Sequence, residues 1–90
     1  MMVNLYPFTY FVLQFSDGEF ECVLLSEEIF SNIILAKSFA LAGFPFEKND
    51  VPVVMDQKSN MHYYHPWHRV WYKNLSEERL RRLFPWLVPS

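Results

Sequence analysis

Glycine is almost missing from this 90-residue chain, which has two, and cysteine occurs once, at Cys22. A lone thiol excludes an intramolecular disulfide, and with it the small secreted domains that are stapled by several bridges. Two glycines exclude a glycine-rich phosphate cradle, and neither a nucleophile elbow nor a paired-carboxylate motif is present. The chain is therefore read as non-enzymatic, with no catalytic residue and no cofactor. No stretch approaches the roughly 20 apolar residues of a membrane span, and MMVNLYPFTY lacks the basic start and unbroken apolar run of a signal peptide. These absences point to a cytoplasmic protein without a membrane partner. Charge is also scarce: the formal net charge is −2, too little for bulk attraction to nucleic acid.

Aromatic residues are what the chain has in abundance. Nine Phe, five Tyr and three Trp make up 19% of it, within a hydrophobic share of 51%. Each aromatic buries about 150–250 Å², so this composition gives a short chain a dense core. Seventeen aromatics are hard to hide in so small a volume, and those left outside favour a partner surface or self-association. Charge is unevenly spread. Up to Pro45 five acids face only Lys37, whereas beyond it seven bases face five acids. An acidic front and a basic tail suit a polarised docking surface or head-to-tail association.

Local patterns predict a single α+β domain over residues 1–90, an antiparallel sheet of about four strands in the order ββαββα with two helices packed on it. "PFTYFVLQF", "SDGE" and "FECVLL" read as a hairpin turning at Asp17-Gly18, because a type I′ turn needs positive φ at both central positions. Pairing Ser16 with Glu19 sets Phe15, Leu13 and Phe11 opposite Phe20, Cys22 and Leu24 on an apolar face. Tyr10 then meets Leu25 on the other. Cys22 on the core face is expected to be a buried thiol. Ser26 as N-cap, two acids and a Leu25–Phe30 staple predict a helix from Glu27 to about Ala42, ended by Gly43. Its apolar face is Ile29, Phe30, Ile33, Ile34 and Leu41. "VPVVM" is a third strand in which Pro52 marks an edge or a strand start. "HRVWY" is the fourth. "LSEERL" repeats the capping idiom of "LSEEIF" and opens a second helix with Leu80, Leu83 and Phe84 inward and Arg79 and Arg82 outward. Residues 85–90 form an extended tail whose Trp86 docks on the body or on another chain.

The candidate site is "MHYYHPWHRVWY", Met61 to Tyr72, which holds all three histidines. Tyr, Trp, His and Arg anchor protein interfaces, since they join large apolar area to a polar tip. The first reading is accordingly a protein-binding module, a homodimer in one form, contacting its protein partner through Tyr63, Tyr64, His65, Trp67, His68, Arg69 and Trp71, with Arg79 and Arg82 beside them. The exposed edge of "VPVVM" or "HRVWY" offers sheet extension across a dimer. By analogy of size and composition alone, such chains suit accessory or inhibitory proteins of the kind phages use against host machinery. A second reading is single-stranded nucleic-acid binding, with the aromatics as a stacking platform and the bases on phosphates. A third is zinc held by His62, His65 and His68, completed by Asp56 or Asp50. H-x2-H-x2-H is not a zinc signature, however, and alternation along a strand would separate the middle histidine from the others.

Overall fold

The computed structural model describes residues 5–89. Five strands and two helices follow one another as β1 (Tyr6–Ser16), β2 (Glu19–Phe30), α1 (Ile33–Gly43), β3 (Pro52–Met55), β4 (Met61–His65), β5 (Val70–Lys73) and α2 (Glu77–Leu83). The strands form one antiparallel sheet in the order β2-β1-β3-β4-β5. The fold is α+β as the sequence indicates, with five strands in place of four. The added one is β4. Its residues MHYYH lack the β-branched signature of a strand and run straight into Pro66.

The hairpin has the expected turn and register from Ser16–Glu19 to Phe11–Leu24, with Asp17 and Gly18 at φ 52° and 85°. It does not stop at Leu25. A bulge between Tyr10 and Phe11 leaves Leu25 unpaired, so Tyr10 meets Ser26 and pairing continues to Tyr6–Phe30. Ser26, Glu27 and Glu28 are thus strand residues, correcting the expected helix start. Tyr6–Tyr10 offers a ready partner strand, and ladder bonds plus burial of Phe8 and Tyr10 outweigh a local capping preference worth about 1 kcal/mol. Asn32 caps α1 instead, its Oδ1 accepting from Leu35 N–H at 3.0 Å.

Each sheet face carries one helix. On the first, Ala36 and Ala40 of α1 lie over Phe8, Tyr10 and Val54, and the Tyr10 hydroxyl donates to the Ala36 carbonyl at 3.2 Å. Small alanines at the contact let the helix lie close to the sheet. The expected apolar face of α1 is consequently turned outward in part: Ile34 is 71% and Leu41 44% exposed. On the second face, Leu80 and Phe84 cover Leu13, Val53 and Tyr63, with Ser76 capping α2 by accepting from Arg79 N–H.

Strand β3 is the centre of the sheet, not an edge. Val53 and Val54 point to opposite faces, and both are fully buried. Pro52 sits at the first strand position, where its missing N–H is tolerated. After α2 the chain forms a 3₁₀ turn, Pro85–Leu87, so the expected extended tail is folded back. Trp86 does dock on the body, donating from its indole N–H to the Asn49 carbonyl at 2.7 Å. Ser90, part of that tail, lies outside the described residues. No helix among the described residues is long and apolar enough to cross a membrane.

Candidate functional site

The aromatic segment becomes β4, a tight turn over residues 66–69, and β5. Strand alternation therefore divides it between both faces. Met61, Tyr63 and His65 face α2, while His62 and Tyr64 face α1. Tyr63 is 7% exposed and belongs to the core. Tyr64 packs against Trp71 at 5.1 Å between ring centroids, and Trp71 also carries the Lys37 ammonium 5.3 Å above its ring. Three of the expected contact residues, Tyr63, Tyr64 and Trp71, are thus removed from the surface presented by Trp67. Interleaved aromatics in one segment look like a platform in sequence, but a two-residue repeat separates them in space.

The histidines are also divided, His62 on one side of the sheet and the stacked pair His65 and His68 on the other. His62, buried on the α1 face, meets Asp56 with Nε2 3.1 Å from Oδ2. Burial raises the pKa of Asp56, but hydrogen bonds from His62, the Asn60 and Lys58 amides and the Asn60 side chain outweigh it and hold it down at about 2. Burial lowers the pKa of His62 more than this carboxylate raises it. A neutral imidazole donating from Nε2 to an ionised Asp56 satisfies both shifts. His65 lies on the opposite face, 2% exposed, and His68 is exposed in the turn. Among the described residues no group of three potential ligands gathers around a common point. The zinc geometry expected from the triplet, with Asp56 or Asp50 completing it, is not formed. Asp56 is committed to His62 and its own loop, while Asp50 caps Glu47 N–H at 2.8 Å.

His65 organises the exposed part. Its Nδ1 accepts from the backbone N–H of Trp67 at 3.2 Å and of His68 at 3.0 Å, and its Nε2 lies 2.9 Å from the Leu83 carbonyl. Two donors aimed at Nδ1 and an acceptor at Nε2 define the neutral Nε2–H tautomer. The ring therefore ties the 66–69 turn to the end of α2. Arg69 N–H closes the turn onto the His65 carbonyl at 2.8 Å, with Arg69 in the left-handed region at φ 58°. The His68 ring stacks on His65 at 3.6 Å, and its Nδ1 is 3.0 Å from the Tyr72 hydroxyl.

Outside this pinned turn stands Trp67, 58% exposed, its indole stacked on Trp86 at 4.4 Å and 27°. His65, Trp67, His68, Arg82, Leu83, Pro85 and Trp86 line a shallow recess of about 210 Å³. Arg79 is exposed one turn earlier on α2, and Arg82 is paired with Glu78 at 3.0 Å. Trp67, His68, Arg69, Arg79 and Arg82 are thus the surface members of the expected set. Trp86 completes the site from outside that set. Its signal in the sequence was an aromatic directly after the helix-stopping Pro85. Cys22 is half-buried, and burial pushes its thiol up to about 11, so it is an inert core thiol at neutral pH. Neither protein-family models, nor curated proteins, nor solved structures contain a match to the chain.

Proposed function

We propose that the chain is a non-enzymatic protein-binding module, of accessory or inhibitory type, whose contact surface is centred on Trp67 and Trp86 and rimmed by His68, Arg69, Arg79 and Arg82. The observation that carries this reading is a large aromatic left 58% exposed on a turn whose backbone N–H groups at Trp67, His68 and Arg69 are all hydrogen-bonded to His65. Exposing an indole forgoes the burial free energy available to it, and ordering it in advance lowers the entropy cost of binding. Trp and Arg beside a small recess are also the residue types of interface hot spots. Protein contact is favoured over single-stranded nucleic acid because Tyr64 and Trp71 lie on the other face. What remains is one stacked indole pair, not a row of stacking positions.

Comparative affinity capture tests the proposal, with wild-type and Trp67→Ala protein as bait. The expected outcome is a stoichiometric protein partner bound by the wild type and lost from the variant, a weakening of about 2 kcal/mol or more, with the thermal midpoint unchanged. Equal capture by both baits removes Trp67 as the anchor. Retention of nucleic acid with a steep salt dependence would instead favour the oligonucleotide reading.

A further inference from the structure

The recess beside Trp67 lies between two elements, the 66–69 turn and the end of α2 with the Pro85–Leu87 turn that follows it. None of the residues lining it is acidic, and Arg82 is its one permanent charge. Its volume of about 210 Å³ falls below the roughly 300–1,000 Å³ of a small-molecule pocket. It has room for one large side chain.

The charges around it do not balance. In α2, Glu77 pairs with Arg81 at 3.3 Å and Glu78 with Arg82 at 3.0 Å. Arg79, three residues before Arg82 and therefore on the same side of the helix, has no ion pair among the described residues. Arg69 in the turn is exposed and equally unpaired. Arg82 is only loosely engaged, because its side chain and that of Glu78 are 73% and 81% exposed. A pair so open to water contributes little, and an incoming carboxylate readily replaces Glu78. Beyond Trp86, in the loop that accepts its indole N–H, Lys48 offsets Glu47 and Asp50 is held by the Glu47 N–H.

An apolar recess is thus flanked by surplus guanidinium from both elements that form it. The geometry points to an acidic linear segment of a partner protein as the occupant, with one large apolar side chain against Trp67 and carboxylates before and after it on Arg69, Arg79 and Arg82. The assignment rests on the reading of Trp67 and Trp86 as a protein-binding surface and adds the chemistry of the partner. Apolar contact alone would accept any exposed side chain. Guanidinium forks select a carboxylate by shape as well as by sign, and like charge excludes basic segments.

Selection from a displayed library of random dodecapeptides, run in parallel against the wild type and Trp67→Ala, tests this. Enriched peptides are expected to place Asp or Glu on both sides of one Phe, Trp, Leu or Ile, and to be absent from the Trp67→Ala selection. With the most enriched peptide, titration calorimetry should show Arg79→Glu and Arg82→Glu each weakening binding roughly fivefold or more, with affinity falling as salt rises. Glu78→Gln should act in the opposite sense and tighten binding severalfold, since it frees Arg82 and removes an acid, a gain that a purely structural role for these charges would not produce. Circular dichroism should be unchanged in these three charge variants, whose altered side chains are all exposed.

Peptides that depend on Trp67 but show no excess of acid, or that bind Arg79→Glu and Arg82→Glu as tightly as the wild type, overturn the acidic segment and leave the Trp67 surface standing. Peptides held equally by Trp67→Ala remove the surface itself. A library without any Trp67-dependent peptide overturns a linear occupant, and tighter binding of an oligothymidylate than of every selected peptide gives the arginines to phosphate instead.

Discussion

His65 decides more about the site than any other residue, although nothing in its side chain needs to reach a partner. Burial first, and the neighbouring His68 second, lower its pKa below the ordinary histidine value, with the Leu83 carbonyl acting against them. The folded protein therefore binds fewer protons than the unfolded chain as pH falls below about 6.5. Above that pH both states hold a neutral ring and stability is flat. Below it the unfolded state gains protons first, and stability falls by up to about 1.4 kcal/mol per pH unit for this residue. His62 adds in the same direction, since its pKa is lowered too. Thermal melts between pH 8 and 5 should show this fall, and imidazole nitrogen NMR should find His65 as the Nε2–H tautomer. A His65 midpoint at or above 6.5 would contradict the arrangement. Because protonated Nδ1 would face two backbone donors, partner affinity through Trp67 should decline at lower pH still, where the folded ring itself takes up the proton.

At the level of elements, one tetrapeptide has two fates. Leu-Ser-Glu-Glu at Leu25 lies in a strand, while at Leu75 it opens a helix. Four residues carry the capping chemistry but not the competition, which at Leu25 is won by pairing with Tyr6–Tyr10. Replacing Asn32 with Ala should therefore cost about 1 kcal/mol in chemical denaturation, as loss of a true N-cap does. Ser26→Ala should cost a few tenths at most, and a larger loss at Ser26 than at Asn32 would refute the assignment. The same contrast marks what was legible. The Asp17-Gly18 turn, the register to Leu24 and the cap at Ser76 each depend on local chemistry, and all were readable. Continuation of the hairpin to Phe30, strand β4 and the central place of β3 depend on partners distant in sequence. Within the site, Trp67, His68, Arg69, Arg79 and Arg82 were legible as surface types. The inward turn of Tyr63 was not, because no β-branched alternation announced that MHYYH was a strand.

For the molecule as a whole, α2 meets the tip of the first hairpin. Arg81 of α2 donates to the Gly18 carbonyl at 3.3 Å and lies over the rings of Phe15 and Phe20, 5.1 and 5.9 Å from their centroids. Phe15 and Phe20 are paired across the strands at 5.1 Å, so the guanidinium rests on a preformed aromatic step. Arg81→Ala should speed amide hydrogen exchange at Phe15, Ser16 and Phe20 several-fold while leaving β4 and β5 protected. Uniform acceleration throughout the sheet would show that the tip is not a local unit.

The sheet order also sets a timetable for synthesis. As the chain leaves a ribosome, β1 and β2 are complete by Phe30, yet β1 keeps its second edge open until β3 arrives at Pro52. The face formed by Leu13, Val53 and Tyr63 then stays bare until Leu80 and Phe84 emerge. The nascent protein passes through an interval in which a nearly finished sheet shows one uncovered apolar side. A premature stop between Tyr63 and Leu80 would leave that form permanently, as a substrate for chaperones or for aggregation.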